Sequence, residues 1–294
     1  MSATSLTWGG RSIPGPGGLP AVAVSLTGPS LADVRTQARS AVEAGADVLE
    51  LRVDLLEEAG ALAAPGPLDA ATATAQVLEC LRGLREAIDG ADAADGVDAD
   101  TGAPVLLTCR TAAEGGRAHL DDAAYGALLR SVLDGLADWA PERRPAAIDV
   151  EVQRGCLPRV SEQAQELGID VVASFHDFKA TPADTSLEEV LVRMVNEGAN
   201  LAKIAVWPTS ADDVARLLGV CARATEAPGE GTGLGVPVAA MSMGSLGAVS
   251  RVAPAFGTAL TFAVVPDAQG ETQASAPGQL PIQDVRRCLE LLRV

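Results

Sequence analysis

The chain has 294 residues, 48% hydrophobic and 21% charged, enough for one large domain or two small ones around a sizeable core. A net charge of −17 argues against a general nucleic-acid surface and against anionic membranes. No early stretch has the charged start and apolar run of a signal peptide, and no run reaches the roughly 18 apolar residues of a membrane span. Five cysteines, widely spaced and without a CxxC, suit reduced thiols in a cytosol.

Residues 1–20, with "GGRSIPGPGGLP", form a Gly/Pro-rich arm. The first strand-like run is "AVAVSL" from Ala21. The helical pattern after it opens with Ser30 and Asp33 in capping-box spacing and stops at Gly45. "VLELRVDL" follows from Val48, then a second helical pattern. The acidic stretch near 89–103 lacks periodicity and reads as a mobile surface insertion. Six more strand-like runs follow: "PVLLTCR" from Pro104, "AAIDVEV" from Ala146, "DVVASFHDF" from Asp170, "LAKIAVW" from Leu201, "PVAAMSM" from Pro237 and "ALTFAVV" from Ala259. A helix-to-strand joint recurs at Gly45, Gly168 and Gly198, where glycine can supply a left-handed cap. Eight strand–helix units predict an α/β fold, a (β/α)8 TIM barrel, as one catalytic domain over 21–294. A doubly wound open sheet is the competing fold.

Strand side chains alternate between faces. In the second run Leu49, Leu51, Val53 and Leu55 share one face, while Glu50, Arg52 and Asp54 share the other. The same phase groups Thr108 with Arg110, Asp149 with Glu151, and Ser174 with His176. Barrel interiors are ordinarily filled with Val, Ile and Leu, whereas this one would carry ions near the C-terminal strand ends, where barrel enzymes keep their sites. A buried structural salt-bridge network is the plainer explanation.

Lys203 is one of only two lysines against twenty arginines, and it lies in an apolar strand. Burying its charged form is costly. Two arrangements stay open. Burial and cations such as Arg52 or Arg110 would favour the neutral, nucleophilic amine. Pairing with Glu50 or Asp149 would hold it as an ammonium. His176, one of two histidines, points inward beside Lys203 and suits acid/base work. Glu114 lies where a loop could bring it to His176, while His119 reads as structural. "MSMGSLGAVSR" resembles an anion-binding Gly-rich loop, with Arg251 near a helix start. "ASAPGQLP" from Ala274 suits a lid over a ligand. "GTGLG" from Gly231 precedes a strand, so it is no dinucleotide fingerprint. No grouping has zinc spacing, so no metal and no cofactor is expected.

Taken together, "ELRVDLL", "TCRTAAEGG", "SFHDF", "AKIAVWP", "MSMGSLGAVSR", "FGTALTFA" and "SAPGQLP" resemble the type I 3-dehydroquinate dehydratases of the shikimate pathway. The resemblance runs from about Ala21 to Pro281 and implies the same barrel, a cytoplasmic homodimer, and a hairpin closing the barrel's bottom. The arm matches that hairpin poorly and, with the acidic insertion, is the visible departure. The resemblance implies Lys203 as the imine-forming lysine, His176 as the acid/base and Glu114 as its partner. It implies 3-dehydroquinate binding by Ser25, Glu50, Arg52, Arg110, Arg251, Ser275 and Gln279, with Arg251 on the carboxylate. A class I aldolase and a non-catalytic carboxylate-binding barrel are the alternatives.

Overall fold

The computed structural model describes residues 5–64, 68–94, 102–226, 233–266 and 273–293. The arm is an antiparallel hairpin, β1 (Leu6–Trp8) and β2 (Arg11–Ile13). Strands and helices then alternate: β3 (Ala21–Leu26), α1 (Leu31–Glu43), β4 (Val48–Arg52), α2 (Ala70–Ala94), β5 (Val105–Thr108), α3 (Asp122–Leu136), β6 (Ala147–Glu151) and α4 (Leu157–Glu166). They continue with β7 (Asp170–Asp177), α5 (Asp184–Asn196), β8 (Leu201–Val206), α6 (Ala211–Ala224), β9 (Val238–Ser242), β10 (Leu260–Val264), β11 (Leu280–Pro281) and α7 (Ile282–Leu291). Strands β3 to β10 pair in parallel, with β10 beside β3. At the remaining seam, Val238 bridges Thr258 and the Ala259 N–H donates to the Val238 carbonyl at 2.7 Å. The result is a (β/α)8 barrel, and each of the eight strand-like runs contains one of its strands.

Local chemistry explains the boundaries. Ser30 caps α1 with Asp33 in a reciprocal capping box. Gly45, Gly168 and Gly198 take φ of 86°, 69° and 100°, the left-handed turn that lets each helix hand over to a strand. The acidic stretch starts inside a helix, because α2 continues to Ala94; residues 95–101 lie outside those described. "GTGLG" falls partly outside them too, its first two residues being 231 and 232.

The segment after β9 departs from the expectation of a helix. It forms short 3-10 turns at Ala248–Val252 and Pro254–Phe256. The Ser250 hydroxyl folds the chain back, accepting from the Ser242 N–H at 2.9 Å and donating to the Gly247 carbonyl at 2.7 Å. Pro254, with no N–H to give, would break any helical ladder continuing through it.

Two apolar cores flank the strands. Val22, Leu49, Leu107, Ile148, Val171 and Ile204 face the helices. The inward residues at the strand starts, including Val48, Leu106, Val172, Leu201 and Leu260, form a second core inside the barrel's bottom. Trp8 and Ile13 complete that core, so the arm, whose sequence matches the family's hairpin poorly, nevertheless closes the bottom. Trp8 is 1% exposed, and its Nε1–H donates to Asp170 Oδ2 at 2.7 Å. Trp8→Ala should therefore cost about 3–5 kcal/mol, the usual range for a large buried aromatic. Urea unfolding measures it, and a loss below about 1 kcal/mol would show that the hairpin is no plug.

Candidate active site

The inward face changes character one layer above the apolar floor. Ser25, Glu50, Thr108, Asp149, Ser174 and Lys203 occupy that layer, all buried, beside Met241 and Phe262. Above them Arg52, Arg110, Glu114 and His176 surround a cavity at the C-terminal strand ends, lined also by Ser275 and Gln279. The alternation in the sequence thus places these site residues together.

Lys203, 4% exposed, sits with Nζ 3.7 Å from Glu50 Oε1, 3.6 Å from Asp149 Oδ2 and 4.4 Å from the Phe262 ring centroid. The pairing with Glu50 and Asp149, one of the two arrangements left open by strand chemistry, is thus present in the geometry. The amine nevertheless lines the cavity, so an incoming carbonyl can reach it.

Arg110 is pinned from several sides. It donates to Asp149 Oδ1 at 2.8 Å, to Glu151 Oε1 at 3.1 Å and to Ser174 Oγ at 2.9 Å, and lies 3.5 Å from Glu114 Oε2. Arg52 makes a two-pronged pair with Asp54, both distances 2.8 Å. Asp54 lies past the end of β4, in a 3-10 turn, and also accepts the backbone N–H groups of Arg110 and Arg117 at 3.1 Å. Glu151 is held in turn by Thr111 and by Arg154 Nε at 3.0 Å. Four buried carboxylates, Glu50, Asp54, Asp149 and Glu151, thus face four cations, Arg52, Arg110, Arg154 and Lys203.

His176 Nδ1 lies 2.8 Å from Glu114 Oε2. Glu114 ends a 3-10 turn that folds back on Arg110; a Cβ on Gly116 would lie 2.1 Å from the Arg110 carbonyl oxygen, so only glycine fits. Burial pushes Glu114 up to about 8, against the pull of Arg110 and with help from Glu151 and Asp149. Burial, together with Arg110, Lys203 and Arg52, holds His176 well below 6.5. Asp149 goes the other way: burial would raise it, but Arg110 and Lys203 hold it below its usual value.

Arg251 does not line the cavity directly. It is 1% exposed behind Met241, in a 3-10 turn rather than at a helix start. Its guanidinium donates to the Pro277 carbonyl at 3.1 Å, and Nε has no partner. No carboxylate among the described residues pairs with it, and burial lowers it to about 10. An unpaired buried cation costs several kcal/mol, which an anionic ligand would recover.

Ser25 also lies behind the cavity. Gln279 Nε2 donates to Ser275 Oγ at 3.0 Å, Ser275 Oγ to Ser25 Oγ at 2.8 Å, and Ser25 Oγ to Glu50 Oε2. The lid segment is therefore wired to the carboxylate beside Lys203. Phe178, Met241, Met243 and Phe262 line the cavity and were not singled out from sequence, although "MSM" and "LTF" carry the inward phase. His119 lies outside this lining, its N–H bonded to the Leu62 carbonyl at 2.9 Å.

A family model described as type I 3-dehydroquinase matches residues 22–294. The 3-dehydroquinate dehydratase of Methanosarcina barkeri is 34% identical over 257 residues, 86% of this chain and 88% of that protein. The 3-dehydroquinate dehydratase structure from Geobacillus kaustophilus superposes with a TM-score of 0.77 at 28% identity, covering 98% of this chain and 96% of that one. The type I enzyme of Clostridium difficile, solved with covalently modified comenic acid, gives 0.78 at 27% identity, covering 98% of each chain.

The Glu114–His176 pair permits a direct test. A raised glutamate and a lowered histidine mean that the pair holds one proton at neutral pH and loses it near pH 8. With only two histidines in the chain, 15N-histidine NMR can follow this. The His176 signals should step near pH 8, and Glu114→Gln should move the step below pH 6.5. A step unmoved in the variant would show that the two groups titrate independently.

Proposed function

This chain belongs to the type I 3-dehydroquinase family, and from that premise we propose how its residues divide the reaction. The activity is that of a hydro-lyase of the shikimate pathway, removing water from 3-dehydroquinate to give 3-dehydroshikimate. Family membership removes the ground for the aldolase and for the non-catalytic binder.

One observation carries the division of roles: the amine of Lys203 enters the same cavity as a hydrogen-bonded histidine–glutamate pair. Lys203 adds to the C3 ketone and forms an iminium, an electron sink that acidifies the C2 protons. His176 removes one of them through Nε2, the nitrogen not bonded to Glu114. With one proton less, the pair is a base; with the proton regained, it is an acid that protonates the departing C1 hydroxyl. Glu114 keeps the ring oriented and the proton shared. Water then releases the product.

The substrate carboxylate goes to Arg251, whose buried guanidinium lacks a protein counter-charge among the described residues. Arg52, Arg110 and Glu50 bind hydroxyl and carbonyl oxygens along the cavity wall. Ser275 and Gln279 close over the ligand, with Ser25 behind them. Residues 21–294 act as one catalytic unit.

A cytoplasmic homodimer is the form proposed for this unit. Five free thiols suit a reducing compartment, and half-exposed Leu246 and Val249 offer apolar surface to a second copy. No helix among the described residues is long and apolar enough to cross a membrane.

Borohydride added during turnover should reduce the iminium and leave substrate carbon on Lys203, with loss of activity. Peptide mass spectrometry locates the label, and only Lys179 competes among lysines. His176→Ala should still be labelled while turnover falls about 100-fold or more. Label on Lys179, or none, contradicts the assignment.

A further inference from the structure

No step of the proposed reaction uses Asp149. It is fully buried on β6, and its two oxygens are treated differently. Oδ1 accepts from Arg110 at 2.8 Å and from Ser174 at 2.7 Å. Oδ2 has no hydrogen-bond partner and lies 3.6 Å from Lys203 Nζ. An orphaned buried carboxylate oxygen is costly unless something it faces needs its charge.

The reaction supplies that need. An ammonium carries three protons; when it condenses with a ketone, two leave with the carbonyl oxygen as water and one stays on nitrogen. Ammonium plus ketone gives iminium plus water, with no net proton and the positive charge still on nitrogen. The neutral amine and the carbinolamine lie between these charged states. We infer that Asp149 is the counter-ion of the reacting nitrogen, facing Lys203 first as ammonium and then as the iminium N–H. The inference rests on the reading that Lys203 forms the imine.

Glu50 is the competing carboxylate at 3.7 Å, but hydroxyls occupy both its oxygens: Thr108 donates to Oε1 at 3.0 Å and Ser25 to Oε2. Of the two oxygens nearest the amine, only Asp149 Oδ2 has no other donor, and Arg110 with Ser174 stops its carboxylate from rotating away. The other charged or titratable groups lining the cavity with this nitrogen are Arg52 on β4, Arg110 and Glu114 after β5 and His176 on β7, while Glu151 on β6 pairs with Arg110. β9 and β10 present Met241 and Phe262, and β3 presents Ser25, so those sides offer no charge.

The test is reductive trapping with 3-dehydroquinate and cyanoborohydride across pH, read as intact-protein mass. A neutral imine resists this reagent, so the adduct reports the protonated form. Asp149→Asn should lower the pH of half-maximal trapping by about one unit or more, a tenfold loss in the iminium's proton affinity. Glu50→Gln should shift it less. Asp149→Glu, which keeps a charge for Arg110, should hold the wild-type midpoint, and it decides the matter even where the Asn variant does not fold. Loss of adduct at every pH in Asp149→Asn, with Asp149→Glu still trapped, supports the same conclusion. An unchanged midpoint in Asp149→Asn overturns the inference, as does a lowered one in Asp149→Glu or an equal shift in Glu50→Gln. Absence of adduct in the wild type instead overturns the imine reading on which the inference rests.

Discussion

A lysine enclosed by a barrel must be held by charge, and the pairing of Lys203 with Glu50 and Asp149 is the constraint around which the interior is organised. Putting two carboxylates beside one ammonium creates a surplus of negative charge in a poorly solvated space. Arg110 answers it from the Asp149 side, and Thr108 and Ser25 answer it at Glu50 with hydroxyl donors. Arg110 in turn draws in Glu151, which Arg154 then balances. Each charge makes the next one necessary, so the site is a network whose members cannot be exchanged singly.

Within that balance, two departures stand out. Glu114 and His176 lie beside the network, each shifted towards its neutral form by burial. A pair that exchanges one proton near pH 8 can serve as a base once that proton has left and as an acid once it is regained. Arg251 is the other departure, a buried cation with no carboxylate partner among the described residues. The acidic chain repels an anionic substrate at long range, and in the proposed reading this enclosed charge supplies local attraction. Because Pro277 bonds to Arg251 and Ser275 to Ser25, the same lid segment contacts both ends of the site.

Much of this was legible in the sequence because a strand's alternation is strict. Glu50 with Arg52, Asp149 with Glu151 and Ser174 with His176 could be assigned to the interior from phase alone, and the structure places them there. Motif order supplied what phase could not: Glu114, Arg251, Ser275 and Gln279 lie on turns and loops, where no periodicity sets direction. Three features escaped. Trp8 and Ile13 anchor the hairpin through contacts with the floor of the barrel, which a Gly/Pro-rich composition conceals. The missing helix after β9 depends on a tight Ser250 fold-back. Asp54 leaves the strand phase at the end of β4 yet still pairs with Arg52, since a 3-10 turn redirects it.

Charge and nucleophilicity at Lys203 can be separated by a single substitution. Lys203→Arg keeps a cation between Glu50 and Asp149 but cannot form an imine, because a guanidinium stays protonated. The measurement is turnover of 3-dehydroquinate, followed by the ultraviolet band of the conjugated enone product, with substrate binding measured alongside. The folded variant should bind substrate and produce no enone above background. Measurable turnover by Lys203→Arg would contradict the assignment of Lys203 as the nucleophile and leave it only the role of a structural charge.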